Sequence, residues 1–355
     1  MRAVKLRCAD FRNISSLELS FGDRMNVIFG ENAQGKTNIL EAVWLFTGAK
    51  SFRGARDSSY VRFGQEKAVC ELTFETGGTE YTAKMEFSEK RTAYLNGKAL
   101  KSPSELAGKF NAVVFSPLDI SLINGSPAER RKFLDLSIGQ LYPGYIPLLH
   151  DYNKALSQRN QTLRDYRFDP SLSVMLEIFE KELSTKGKKI TALRKRYLER
   201  LKNYIPDIYS GISGGREVFS AEYEESTAGR DLEEELIKAR AEDMKTGTTS
   251  AGPHRDDLLL TIDGRTCRAY GSQGQRRSAA LTLKLAQAEV INSAAGEYPV
   301  CLLDDVMSEL DPGRQEYILN RVKSRQTVLT CCDPDDFKGL ENGESFEIKG
   351  GKTIK

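Results

Sequence analysis

Gly30-Glu31-Asn32-Ala33-Gln34-Gly35-Lys36-Thr37 is the stretch on which the fold turns. It spells G-x-x-x-x-G-K-T and follows the apolar run Met25–Phe29. It then opens a helix on which Ile39, Leu40, Val43 and Trp44 recur at helical spacing. The glycines let the backbone wrap tightly and aim N–H groups at phosphate oxygens, and the helix N-terminus adds partial positive charge. Gly30, Glu31, Asn32, Ala33, Gln34, Gly35, Lys36, Thr37 and Asn38 are therefore expected to line a nucleotide, ATP being the type case. Lys36 would reach its β- and γ-phosphates, and the Thr37 hydroxyl would bind Mg²⁺. The loop by itself implies nucleotide binding and no more, because kinases, motors, GTPases and transporters all use one.

Two further motifs lie far downstream. Pro299-Val-Cys-Leu-Leu-Asp304-Asp305 reads as a buried strand delivering two acids at its carboxyl end. Asp304 would hold the Mg²⁺, and Asp305 would orient or deprotonate an attacking water. With Lys36 they form the expected catalytic set. Upstream, Tyr270-Gly271-Ser272-Gln273-Gly274-Gln275-Arg276-Arg277-Ser278 opens an amphipathic helix, with Ser272 as a natural N-cap. A lone S-x-G-Q is weak, but here it stands in a fixed order: phosphate loop, S-x-G-Q helix, acidic strand, then Ser308-Glu309-Leu310-Asp311.

That order resembles the ABC-type ATPases, in which the signature helix of one subunit caps a nucleotide held by the other. The resemblance implies that Ser272, Gly274 and Gln275 act on a partner's ATP, so that hydrolysis needs a homodimer in the ATP state. The signature follows Thr37 by 235 residues. That spacing is long for a transporter ATPase and far too short for a chromosome-maintenance protein with its coiled coil. Across essentially the whole chain the closest resemblance is to the RecF family of bacterial recombination mediators. It is carried by Asp10-Phe-Arg-Asn-Ile14, the phosphate loop with Asn38, Ser51-Phe52-Arg53, Phe115–Asp119, Gly125–Asp135, Gly252-Pro-His-Arg-Asp-Asp257 and Leu303–Asp311. It implies that Arg12 and Asn13 lie near the adenine. It also implies ATP-dependent binding of double-stranded DNA near single-strand gaps, help in loading RecA with RecO and RecR, and a weak DNA-stimulated ATPase. ABC proteins often place a His after the next strand. Val328-Leu-Thr-Cys-Cys-Asp333 has none, so either Thr330 or a neighbouring Cys substitutes weakly or the role is absent.

Composition fits a cytoplasmic protein. There are 355 residues, six cysteines without a C-x-x-C pair, two histidines, no apolar run long enough to span a membrane and no signal-peptide pattern. The fold class expected is α/β: an ABC-type P-loop ATPase head, strand-rich, with a helical second lobe inserted. The ATPase lobe is placed at residues 1–122 and 293–355, and a mainly helical lobe carrying the signature helix at 123–292. Within that lobe Leu172, Leu176, Phe179, Leu183, Ile190, Leu193, Tyr197, Leu201 and Tyr204 mark a seam on one or two long helices.

The formal charge of +2, from 52 basic and 50 acidic residues, argues mildly against nucleic acid. Yet residues 181–202 carry nine basic side chains against Glu182 and Glu199, and residues 222–235 carry seven acids. The basic stretch makes Lys186, Lys188, Lys189, Arg194, Lys195 and Arg196 candidates for phosphate contacts with double-stranded or gapped DNA, with Arg130, Arg131 and Lys132 as further possibilities. Two readings from other classes stay open at this stage: the ATPase subunit of a membrane transporter, and a P-loop kinase.

Overall fold

The structure is a computed structural model, and it describes residues 1–55, 57–166, 168–333 and 344–354. In chain order the elements begin with β1 (Arg2–Phe11), β2 (Ile14–Ser20), β3 (Met25–Phe29), α1 (Lys36–Leu45), β4 (Ala68–Thr76), β5 (Thr79–Phe87), β6 (Arg91–Leu95), β7 (Lys98–Ala99) and β8 (Ala112–Phe115). Then come α2 (Ser121–Asn124), α3 (Pro127–Leu141), α4 (Tyr145–Asp165), α5 (Ser173–Lys202), α6 (Ile205–Ser213), β9 (Phe219–Glu224), α7 (Leu232–Thr246), β10 (Asp257–Ile262), β11 (Arg265–Thr266) and α8 (Cys267–Tyr270). The chain continues through α9 (Gln273–Ala295), β12 (Val300–Asp304), α10 (Pro312–Val322), β13 (Thr327–Cys331), β14 (Ser345–Lys349) and β15 (Lys352–Thr353).

Two compact units result. The first comprises Met1–Asp119, Ile208–Gly215 and Ala280–Lys355, the second Ile120–Asp207 and Arg216–Ala279. These limits differ from the sequence-based ones, which gave 280–292 and 208–215 to the helical lobe. From Ala280 to Ile291 the helix is buried on almost every side, with Thr282, Lys284 and Gln287 enclosed beside Leu281, Leu283, Leu285, Ala286, Ala288, Val290 and Ile291, so it serves as core rather than as a surface helix.

The first unit holds two sheets. One is antiparallel, ordered β2-β1-β4-β5-β6-β7, and its strands alternate buried and exposed residues. The other is ordered β15-β14-β3-β13-β12-β8, and the four pairings from β14 to β8 are parallel. Its strands β12, β13 and β8 are buried at every position, as expected for strands covered on both faces. Parallel pairing brings the carboxyl ends of β3, β13 and β12 side by side, which is where ligands bind in open α/β sheets. Trp44 is core, as its sequence neighbours suggest: it is 2% exposed and its indole N–H donates to the Lys50 carbonyl at 2.9 Å.

The second unit packs α5 against α3, α4, α7 and the small sheet β11-β10-β9. The predicted seam is one thirty-residue helix, on which Leu176, Phe179, Leu183, Ile190, Tyr197 and Leu201 are buried. Gly187 lets α5 approach its neighbours, since a Cβ there would stand 2.5 Å from Leu232. The core of this unit is also polar. Arg159 is fully buried and donates to Asp243 Oδ2 (2.7 Å), Thr249 Oγ1 (2.9 Å) and Glu180 Oε1 (3.0 Å). The Gly252–Asp257 motif belongs to the same interior. Asp256 is 1% exposed and accepts from the Tyr223 hydroxyl (2.5 Å) and the Ser226 amide (2.8 Å).

His254 bonds Thr249 O through Nε2 (3.0 Å) and lies 2.7 Å from the Tyr152 hydroxyl through Nδ1. A carbonyl only accepts, so Nε2 carries the proton and Nδ1 accepts. Burial pushes the imidazole down to about 4 from 6.5, and the nearby charges of Arg255 and Arg131 add to it. Because the neutral form is favoured only in the folded state, its contribution is complete above pH 6.5 and drains away as pH falls toward 4. Between pH 7 and 4.5 the loss should reach about 2 kcal/mol. Urea unfolding at the two pH values, compared with His254→Gln, tests this; a variant with the same pH dependence as wild type would contradict it.

Candidate nucleotide site

The phosphate loop leaves the carboxyl end of β3 and ends on α1. Gly30 has φ 144°, and a Cβ there would meet the Ile348 carbonyl at 2.4 Å. Gly35, at φ 108°, backs against Asn13, whose Oδ1 would lie 2.7 Å from a Cβ. Both positions demand glycine, for backbone conformation and for space. The β14–β15 hairpin braces the loop: the Gly351 and Gly350 amides donate to the main-chain and side-chain oxygens of Gln34, at 3.1 and 2.6 Å.

Lys36 is buried, and its ammonium donates to the Gly30 and Glu31 carbonyls (2.5 and 2.9 Å), folded back over the loop it serves. The Thr37 hydroxyl donates to Asp304 Oδ1 at 2.8 Å, joining α1 to the end of β12. The two residues singled out for Mg²⁺ thus come together across 267 positions of sequence. Burial raises the Asp304 carboxyl above its ordinary range, while hydrogen bonds from Thr37 and Thr330 and the charge of Arg53 oppose the rise.

Asp305 differs from its neighbour. It is exposed and takes φ 50°, the left-handed region, which turns it out of the strand direction. Its amide donates to Thr330 Oγ1 (3.0 Å), and its carbonyl accepts the Ser308 hydroxyl (2.9 Å). At the end of β13, Thr330 is committed to Asp304 (3.1 Å) and Cys331 is buried. Cys332 is the exposed side chain that reaches the loop, 3.8 Å from Lys36 Nζ and 3.3 Å from Asn32 Oδ1.

The β1–β2 turn brings Arg12 and Asn13 to the loop. Asn13 accepts from Asn38 Nδ2 (2.8 Å) and donates to the Ala33 carbonyl (3.4 Å). Arg12 is engaged elsewhere. Nε and Nη2 donate to Glu41 Oε2 (3.2 and 2.9 Å), and Nη1 to the Ser59 carbonyl and hydroxyl (3.1 and 3.0 Å). Glu41, fully buried on α1, also accepts from Arg53 Nη2 (2.7 Å) and the Ser51 hydroxyl. Sequence reading passed over Glu41. Its signal was an acid between Leu40 and Ala42, on a helix that is otherwise apolar there.

In the second unit the S-x-G-Q segment forms a reciprocal capping box. The Ser272 amide donates to Gln275 Oε1 (2.7 Å), and the Gln275 amide donates to Ser272 Oγ (3.2 Å). Gln275 Nε2 also donates to Glu217 (2.8 Å). Ser272 is exposed.

The basic stretch needs correction. Arg194 is not a surface cation: it is 2% exposed, donates to both oxygens of Asp135 at 2.9 Å, and bonds the Pro253 carbonyl at 2.6 Å. Arg130, one of the further possibilities, is likewise a buried ion pair, with two bonds to Asp257 at 2.7 and 2.8 Å. Lys188 pairs with Asp231 (2.6 Å), Lys195 with Glu225 (2.5 Å), Lys202 with Glu222 (2.6 Å), and Lys186 with Glu182. The acidic and basic blocks, separate in sequence, therefore meet in space through the pairs Lys188–Asp231, Lys195–Glu225 and Lys202–Glu222. Of the six candidates, Lys189 and Arg196 remain exposed with no ion pair among the described residues.

A parallel sheet that joins a phosphate loop to a carboxylate strand, in a chain with a separate S-x-G-Q helix, defines an ATPase head of the kind that the RecF/RecN/SMC N terminal domain family describes; that family matches residues 3–339. Similarity to individual proteins is narrower. A DNA replication and repair protein RecF from Agathobacter rectalis is 42% identical over 94% of this chain and 92% of its own length, and one from Bacillus subtilis is 35% identical over the whole of both. The solved structure of the recombination mediator protein RecF-ATP in the RecFOR pathway superposes with a TM-score of 0.92 at 36% identity, covering 99% of this chain and 96% of that one. An Smc head domain from Pyrococcus furiosus, at TM-score 0.56 and 16% identity, shares the fold. The chain belongs to the RecF family of DNA replication and repair proteins. The transporter reading finds no support among these relatives, and no helix among the described residues is long and apolar enough to cross a membrane.

Proposed function

We propose that this chain is a cytoplasmic, ATP-dependent DNA-binding protein of recombinational repair. ATP closes a homodimer on double-stranded DNA near single-strand gaps, slow DNA-stimulated hydrolysis releases it, and with RecO and RecR it helps load RecA. The observation that carries this reading is the Lys36–Thr37–Asp304 arrangement in a chain that matches the RecF-ATP structure along its length. Thr37 Oγ1 and Asp304 Oδ1 fit Mg²⁺, an ion that takes one or two protein oxygens and leaves its other positions to phosphates and water. When bound, the ion neutralises charge that develops on the phosphates.

Lys36 exchanges its carbonyl partners for phosphate oxygens. Asp305, exposed and turned from the strand, takes the proton of the attacking water. Ser272, Gly274 and Gln275 cap the partner's nucleotide. Lys189 and Arg196, the candidates left unpaired, contact DNA phosphates without regard to sequence.

Sedimentation tests the scheme. Wild type is expected to dimerise with ATP and gapped duplex and to remain monomeric without nucleotide. Lys36→Arg should bind nucleotide yet turn it over at least about a hundredfold more slowly, the scale on which a lost transition-state donor is felt. A wild-type chain that stays monomeric with ATP and DNA, and whose hydrolysis DNA does not stimulate, would refute the reading.

A further inference from the structure

We propose that Glu41 is a positioning residue of the nucleotide site, holding Arg53 beside the phosphate loop. Two segments donate to its carboxylate, the β1–β2 turn through Arg12 and the loop after α1 through Ser51 and Arg53, and Ser59 in turn accepts from Arg12. Glu41 is fully buried, and Arg12, Ser51 and Arg53 supply the hydrogen bonds that a buried carboxyl group requires.

The two guanidinium groups are not equivalent. Arg12 spends Nε, Nη1 and Nη2 on Glu41 and Ser59, and its Cζ lies 4.9 Å from the centre of the Tyr60 ring. It is a clamp. Arg53 spends Nη2 on Glu41 and on Asn38 Oδ1, both at 2.7 Å, and its side chain is 31% exposed. Its Nε and Nη1 have no hydrogen-bond partner among the described residues. Asn38 follows Thr37 directly, and the Arg53 charge is felt at Asp304. A planar fork with free donors, fixed next to a phosphate-binding loop, is suited to a nucleotide polyphosphate.

One carboxylate shared by two guanidiniums also leaves a net positive charge at the site. Were Glu41 neutral, Arg12 and Arg53 would repel each other, and Arg53 would lose the anchor that aims it.

The inference rests on ATP being the ligand of this loop. A wild-type chain with no ATP turnover would count against that reading, whereas the variants below address Glu41 alone. Arg53→Gln should raise the KM for ATP about tenfold, the loss of one charge-assisted hydrogen bond. Its kcat should stay within about threefold. Glu41→Gln should reproduce that KM, and the double variant should be no worse than either single one, because the two substitutions remove one contact. Glu41→Asp, which keeps the charge on a shorter stem, should fall between. It replaces Glu41→Gln in the cycle if the amide variant does not fold. An unchanged KM in Arg53→Gln, or effects that add in the double variant, would overturn the proposal. A lower Tm with unchanged KM would show an ion pair serving the fold alone.

Discussion

Arg159→Met is expected to lower the stability of the second unit by about 3–5 kcal/mol, the usual result of stranding a buried charge. Methionine fills a similar volume, so the loss would come from electrostatics rather than from a cavity. The consequences for the two carboxylates differ. Glu180 retains Arg240, which donates to both of its oxygens at 3.1 and 2.6 Å. Asp243 is fully buried and keeps the Ser250 amide at 3.1 Å, but among the described residues no second guanidinium bonds it. Pairing Arg159→Met with Asp243→Leu should therefore restore a large part of the loss, because removing both members of a buried pair costs far less than removing one. Urea unfolding of the two variants decides the matter. A single variant within about 1 kcal/mol of wild type would show that the triad contributes little beyond packing.

The second large effect is on chemistry. Asp304→Asn should reduce ATP hydrolysis on the order of 10²–10³-fold, the scale seen when one preorganised transition-state contact is lost. The amide keeps the shape of the carboxylate and can still accept the Thr37 hydroxyl, so strand and helix should stay joined. What it lacks is the negative charge that would hold a divalent cation. Stability should therefore change little or even rise, since burial already works against the charged form. Single-turnover measurements with titrated Mg²⁺ would separate the steps. Full hydrolysis at ordinary Mg²⁺ would remove Asp304 from the metal role.

Local features were legible in the sequence where one segment carries all the information. The phosphate loop, the acidic strand, the capped signature helix and the thirty-residue seam were all read from spacing, because a helix or strand imposes its period on the residues that form it. What could not be read was pairing between distant segments. The basic block at 181–202 and the acidic block at 222–235 look segregated in a linear count. The return of the chain along β9 and the turn after it sets Lys188 against Asp231 and Lys195 against Glu225. Nor does a count show which arginine faces inward: Arg130 and Arg131 are adjacent, and only packing against β10 gives Asp257 to the first. Glu41 was missed for the same reason, since its donors come from two other segments, the β1–β2 turn and the loop after α1. The domain limits differ because α9 changes from a capped surface helix to one buried on almost every side without a break in the helix.

The joining of Thr37 to Asp304 has a consequence for synthesis. On a ribosome adding roughly 5–20 residues per second, the phosphate loop emerges roughly 15–50 seconds before its carboxylate partner. During that interval β3 has none of its sheet neighbours, which all come from residues 327–331 and 345–349. Its apolar run, Met25 to Ile28, must therefore wait unpaired. The loop cannot take up its nucleotide-ready shape until the late strands arrive, so newly made chains should depend on chaperone cover more than their finished stability would suggest.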